Sequence, residues 1–142
     1  MRKTGSGLNA LERLTFDAEA ILAFFFGEVG GDLVRDSLKK IQNSETEGYI
    51  NIVNLTEIQY ILSRISPEAV EEKQRNLRLY RLKIIPVEDN GLWQEAAKFK
   101  CNHSMSLGDA FAAATAKSFK TKLVVGSDKE FNNIGVELLR IR

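Results

Sequence analysis

Short strand-forming runs alternate with helical stretches along almost the whole of this chain, and that order constrains its fold more than any other feature. Strand-forming runs are predicted at Arg13–Phe16, Tyr49–Val53, Lys83–Val87, Lys122–Val125 and Val136–Ile141. The stretches Ala18–Phe26, Asp32–Gln42, Asn54–Arg64, Pro67–Tyr80, Asp89–Lys100 and Leu107–Phe119 read as helices, several with apolar residues at helical spacing. Parallel strands need long crossovers, and a helix is the usual one. The alternation therefore predicts an α/β domain of three layers, α/β/α, with a central, mostly parallel sheet flanked by helices.

Local punctuation agrees with these boundaries. Pro67 follows Ser66, where proline suits the first turn of a helix. Pro86 marks the end of a strand, because it has no amide to give a central ladder. Asn54-x-x-Glu57 and Ser106-x-x-Asp109 have the form of capping boxes, and Asp89 is a candidate cap for its helix.

A chain of 142 residues with 44% hydrophobic and 27% charged residues suits one globular domain with a sizeable core. We assign residues 10–142 to that domain and residues 1–9, basic and bearing Gly and Ser, to a flexible arm. The most apolar run, Ala20–Phe26, falls far short of the roughly 20 residues of a membrane helix. Nor does Met1–Gly7 lead into the hydrophobic stretch of a signal peptide. Cys101 is the only cysteine. It excludes internal disulfides and multi-cysteine zinc sites and fits a reducing cytoplasm. A thiol nucleophile at Cys101 would have His103 nearby but no visible third group to orient it. A net charge of +1 argues against a generic polyanion binder.

The chemistry lies in four acids at element junctions. Asp17 ends the first predicted strand and Asp128 follows the fourth. Glu57 lies in the first turn of the helix after the second strand, and Asp109 opens the alanine-rich helix that leads into the fourth. Ligand sites in open parallel sheets form beyond the carboxyl ends of the strands, so Asp17, Glu57 and Asp128 are placed to collect on one edge, and Asp109 joins them if the N-terminus of its helix abuts that edge. Each has a plainer reading as a helix cap or an acid favoured by the helix dipole. Convergence is what distinguishes the set. Carboxylates crowded together repel and call for protons or a cation, and hard oxygen donors suit Mg²⁺ or Mn²⁺. Such a centre can hydrolyse a phosphodiester through an activated water, with one metal or two.

The sequences LTFDAEAILAFF around Asp17, NIVNLTEIQYIL around Glu57, SLGDAFAAATAK around Asp109 and LVVGSDKEF around Asp128 resemble the PIN-domain family, and within it the VapC-type toxins of toxin–antitoxin pairs. The resemblance covers nearly all of the chain from Leu14 onward. It implies a parallel sheet between helices and an Mg²⁺- or Mn²⁺-dependent endoribonuclease. Asp17, Glu57 and Asp109 would be metal ligands and catalytic residues, with Asp128 acting directly or through water, and Ser127 assisting beside it. It also implies a VapB-type antitoxin as partner and a homodimer. One departure is local: many relatives follow the first Asp with Thr and then Ser or Asn, whereas Ala18 and Glu19 stand here. A non-catalytic PIN-like module that binds metal, RNA or protein is the alternative, and a phosphatase using Asp17 is a third reading.

An acidic centre needs basic groups to hold RNA. Arg75, Arg78 and Arg81, with Lys73 and Lys83, form the densest cluster and are candidates for substrate binding, against the plainer reading of a solvated helix face. Lys117, Lys120, Lys122 and Lys129 are a second candidate group. His103 reads as an exposed loop residue, Trp93 and Phe99 as core, and Glu130 as part of a solvated turn. The run Ile21–Phe26 is apolar around more than one helix face. Either the helix is buried on two sides within the domain, or it forms a dimer seam or antitoxin groove.

Overall fold

The computed structural model describes residues 11–88 and 90–142. The flexible arm assigned to residues 1–9 and the cap role given to Asp89 lie outside the described residues. Strands β1 (Glu12–Phe16), β2 (Thr46–Asn51), β3 (Lys83–Ile85), β4 (Lys122–Val125) and β5 (Leu138–Arg140) form one sheet in the order β3-β2-β1-β4-β5. Every neighbouring pair is parallel. Helices α1 (Ala18–Phe25), α2 (Gly31–Gln42), α3 (Ile52–Ile65), α4 (Val70–Leu79), α5 (Asn90–Asn102) and α6 (Leu107–Phe119) supply the crossovers as far as β4, and a loop with one 3₁₀ turn, Lys129–Phe131, leads on to β5.

The alternation of side chains along a strand divides the interior between two faces. Leu14, Phe16, Ile50 and Val124 pack with α1 to α4 on one face, while Leu123 and Val125 pack with α5 and α6 on the other. Both faces are covered, so the three-layer α/β/α arrangement expected from the sequence is the one observed. Helix α6 runs against the sheet, α3 and α5 together, and Ala110, Ala112, Ala113, Ala114 and Ala116 are each 0% exposed. Only small side chains permit such close approach on several sides.

Several boundaries differ from those predicted. β2 covers Thr46–Asn51 and not Tyr49–Val53, because Asn51 caps α3 by accepting the Val53 N–H at 2.8 Å. Ile52 and Val53 thus join the helix despite their β-branched side chains. Asn54 is consequently interior to α3 and forms no capping box, and Glu57 sits in its second turn. β3 stops at Ile85, immediately before Pro86, and α5 continues through Cys101 and Asn102, which were expected in a loop. Trp93 is 49% exposed on α5, not core, whereas Phe99 is buried. Helix α1 is buried on more than one side: Ala20, Ile21 and Ala23 are fully covered. Beyond them, Phe24 meets Tyr80 edge-on and Lys73 lies over Phe25.

The strand order positions the site. From β1 the chain proceeds outward to β2 and β3, then returns to place β4 on the other side of β1. The crevice beyond the carboxyl ends of β1 and β4 is therefore the topological switch point, where open α/β sheets bind ligands.

Candidate active site

Asp17 is the first residue beyond β1, and its N–H donates to the Val124 carbonyl at 3.2 Å, which ties it to β4. Its side chain caps α1, Oδ1 accepting the Ala20 N–H at 2.8 Å. The carboxyl is only 2% exposed. Burial pushes its pKa well above the ordinary aspartate value, and repulsion from Asp109, Glu19 and Glu57 adds to that rise against the Ala20 hydrogen bond.

Glu57 reaches from α3 to the start of α6. A Cβ on Gly108 would collide with the Glu57 carboxylate, so glycine at the second position of α6 is what admits it. Asn54 Nδ2 joins the two elements, donating to Glu57 Oε1 and to the Gly108 carbonyl, each at 3.0 Å. Asn54 is 1% exposed, and its Oδ1 has no partner among the described residues.

Asp109 follows Gly108, in the first turn of α6. Its N–H donates to Ser106 Oγ at 3.1 Å, so Ser106 is the helix cap, and the same hydroxyl meets the Asp109 carboxylate. Burial raises the Asp109 pKa to about 6, with repulsion from Asp128, Glu57 and Glu130 contributing and the Ser106 contact opposing. Asp128 caps the single 3₁₀ turn Lys129–Phe131 through the Glu130 N–H at 2.9 Å. Carboxylate oxygens of Asp109, Asp128 and Glu130 all lie within 4.8 Å of one another.

Asp109 is common to two groups, Asp17 with Glu57 on one side and Asp128 with Glu130 on the other. The four acids predicted from sequence thus gather at one edge. Glu130, read from sequence as part of a solvated turn, joins them. Among the described residues no lysine or arginine forms an ion pair with any of these five acids. A set of hard oxygen donors without a basic counter-ion, one of them almost fully buried, fits a divalent cation of the Mg²⁺ or Mn²⁺ kind.

The surrounding charges are organised differently from the sequence expectation. Ser127 is exposed beside Asp128. Arg140 at the end of β5 holds this loop, Nη1 donating to the Gly126 and Asp128 carbonyls at 2.7 Å each and Nη2 to Asn132 Oδ1 at 2.6 Å. Glu19 lies against Gly126, where a Cβ would collide with it, and Arg142 Nη2 pairs with it at 2.7 Å. Arg75 pairs with Glu71 at 3.8 Å, Arg78 lines a hollow with Leu77 and Ile84, and Arg81 donates to Ser44 at 3.5 Å before β2 begins. In the second basic group Lys122 pairs with Glu12 and Glu137, also where strands start.

The chain matches the family model of the PIN domain over residues 14–137. It belongs to the PIN-domain family. Three solved structures show how far this PIN domain shares its fold with others. A toxin–antitoxin complex from Klebsiella pneumoniae aligns with a TM-score of 0.73 at 15% identity, covering 91% of this chain and 98% of that chain. VapBC2 from Rickettsia felis, bound to a DNA fragment from its promoter, aligns at 0.70 and 19% identity over 90% and 98%. VapC20 from Mycobacterium tuberculosis, a sarcin-ricin loop cleaving toxin, aligns at 0.59 and 16% identity over 85% and 91%. No curated protein sequence matches the chain.

Two residues that organise the acids in this PIN domain were not singled out from sequence. Gly108 and Arg140 act through tertiary contacts between elements far apart in the chain, and no local pattern marks them. Glu130 had a visible signal, since it stands two residues after Asp128 in a turn that brings both toward the same crevice.

Proposed function

We propose that this PIN domain is an Mg²⁺- or Mn²⁺-dependent endoribonuclease and the toxin of a VapBC-type toxin–antitoxin pair. The observation that carries the reading is the group of five carboxylates at the switch point of the sheet, none in an ion pair with a lysine or arginine among the described residues. Asp17, Glu57, Asp109 and Asp128 would hold the metal, with Glu130 beside Asp128 in the same cluster. A divalent ion bound there supplies an acidified water and neutralises charge on a phosphoryl group. The protein's own residues give the geometry. Ala20 fixes the Asp17 carboxylate, Asn54 and Gly108 seat Glu57, Ser106 caps α6 and meets the Asp109 carboxylate, and Arg140 anchors the loop bearing Asp128. Asp109, with its pKa raised to about 6, is suited to hold or release a proton near neutrality when no cation is bound.

The choice of RNA is supported by relatives of the same fold, VapC20 among them being named as a toxin that cleaves the sarcin-ricin loop. A VapB-type antitoxin is supported by the toxin–antitoxin complexes from Klebsiella and Rickettsia. Phe26, 37% exposed at the end of α1, is the candidate for a homodimer seam or antitoxin contact. A cytoplasmic setting is supported by the single free Cys101. No helix among the described residues is long and apolar enough to cross a membrane.

Asp17→Asn and Asp109→Asn should each abolish metal-dependent cleavage of RNA while circular dichroism shows the fold intact. Cleavage that persists in metal-free buffer, or in either variant, contradicts the reading. Metal binding without cleavage of any RNA would instead identify a non-catalytic binding module.

A further inference from the structure

An RNA-cleaving centre built from acids repels the phosphates on either side of the bond it cuts, so cations must lie close by. Two arginines stand near the acids, and both are committed elsewhere. Arg140 spends its guanidinium on the Gly126 and Asp128 carbonyls and on Asn132, and Arg142 on Glu19, Glu28 and the Val29 carbonyl. Arg75 pairs with Glu71 on the surface of α4, and Arg81, beyond that helix, donates to Ser44.

Glu130 opens onto a different surface. With Lys100, Cys101 and His103 it lines an open hollow of ≈ 450 Å³ at the turn between α5 and α6. Asn102 and His103 also line a second hollow, which continues down the seam of the two helices past Lys98 and Lys117. His103 is thus the junction of the two, its ring seated 6.0 Å from that of Phe99. Lys98 is exposed and has no ion-pair partner among the described residues. Lys117 is more than half exposed, pairing with Glu95 at 2.7 Å and lying over the Phe99 ring. Lys100 donates to the Met105 carbonyl at 3.1 Å, which holds the α5–α6 turn in shape.

We propose that single-stranded RNA leaves the acid cluster across His103 and runs along the α5–α6 seam, its phosphates held by Lys98 and Lys117. This rests on the nuclease reading for the identity of the ligand. The seam places lysines beside the hollow that Glu130 shares with His103: Lys98, without an ion-pair partner among the described residues, and Lys117, more than half exposed and paired with Glu95. His103, at the bend, is placed to contact the nucleotide next to the scissile bond. Specificity for the flanking base would then lie in this turn.

Cys101 makes the track testable without reference to catalysis, because it is the only cysteine, is exposed and lies in the first hollow. The rate at which a maleimide dye labels the full-length protein in EDTA is measured with and without a short single-stranded RNA. The RNA should slow labelling at least about tenfold at saturation, as expected for a thiol covered by a bound strand. In parallel, the affinity of fluorescein-labelled RNA is measured by anisotropy for a Lys98→Glu/Lys117→Glu variant. Lys39→Glu/Lys40→Glu on exposed positions of α2 is the matched charge control. The seam variant should weaken binding about tenfold or more and reduce the salt dependence by about one phosphate contact per lysine, with the control unchanged. RNA that is cut while Cys101 labels at its free rate overturns the track and leaves the nuclease reading standing. Protection of Cys101 without cleavage supports the track and counts against the nuclease reading. Equal weakening in both charge-reversed variants overturns the assignment of Lys98 and Lys117.

Discussion

Replacing Asp109 with asparagine should make the metal-free protein more stable, and the effect should depend on pH in a specific way. Asp109 is the carboxylate shared by both halves of the acid cluster, and its pKa in the folded state rises from 3.8 to about 6. A raised pKa means that folding favours the protonated form. The associated stability is fully present below the unfolded value and is lost as pH rises through the folded one. A shift of about 2 pH units corresponds to about 3 kcal/mol at about 1.4 kcal/mol per unit. Asp109 is partly open to water, and screening reduces this to about 1–2 kcal/mol. Asparagine keeps the shape and cannot ionise, so Asp109→Asn should escape the loss. Thermal melts in EDTA at pH 7.5 should show the variant higher by roughly 3–8 °C, taking about 3–4 °C per kcal/mol for a domain of this size. At pH 4 the two proteins should melt together. Added Mn²⁺ should then reverse the order, since a ligand at a hundred times its Kd stabilises the parent by about 2.7 kcal/mol and the variant has lost a carboxylate donor. Equal melting of the two at pH 7.5 in EDTA would refute the picture of repelling, partly desolvated acids. A parent insensitive to Mn²⁺ would refute the cation site.

Other outcomes follow from the same geometry. Gly108→Ala should improve helix propensity by about 1 kcal/mol yet displace Glu57, weakening Mn²⁺ binding about 10–100-fold, as loss of ligand positioning does elsewhere; isothermal titration reads this directly. Arg140→Ala removes three hydrogen bonds to the loop bearing Asp128. It should lower the urea midpoint by an amount equivalent to about 2 kcal/mol and reduce metal affinity as well. Asn51→Ala deletes both the α3 cap and the bond to Thr115 Oγ1 at 3.0 Å, and denaturant unfolding should show a cost of about 1–2 kcal/mol.

Much of the fold was legible because its signals are local. β4 and α6 match their predicted spans residue for residue, one a short apolar run ending in two valines and the other closed by Lys120 in the left-handed region. The start of α3 was misplaced by two competing signals. Ile52 and Val53 favour a strand by their side chains, but Asn51 turns the backbone and accepts the Val53 N–H, and the cap prevails. Asn54, expected as that cap, instead bridges α3 to α6 through Glu57 and Gly108. Trp93 was misjudged because an aromatic residue at near-helical spacing looks like core, whereas Leu92, Ala96 and Phe99 already fill the face of α5 that is buried.

By itself the sequence determined the class of fold and marked four acids at element ends, because strand and helix periods, cap residues and acids at element ends are all properties of short segments. The tertiary structure decided what those acids do to one another. It set β4 beside β1, so that Asp17 and Asp128 face one crevice, and brought Asp109 in on the N-terminus of α6. It also added Glu130, made the room for Glu57 at Gly108, and turned Arg140 and Arg142 away from the cluster. Repulsion and burial depend on distances between segments remote in the chain, and for that reason no reading of local pattern could supply them.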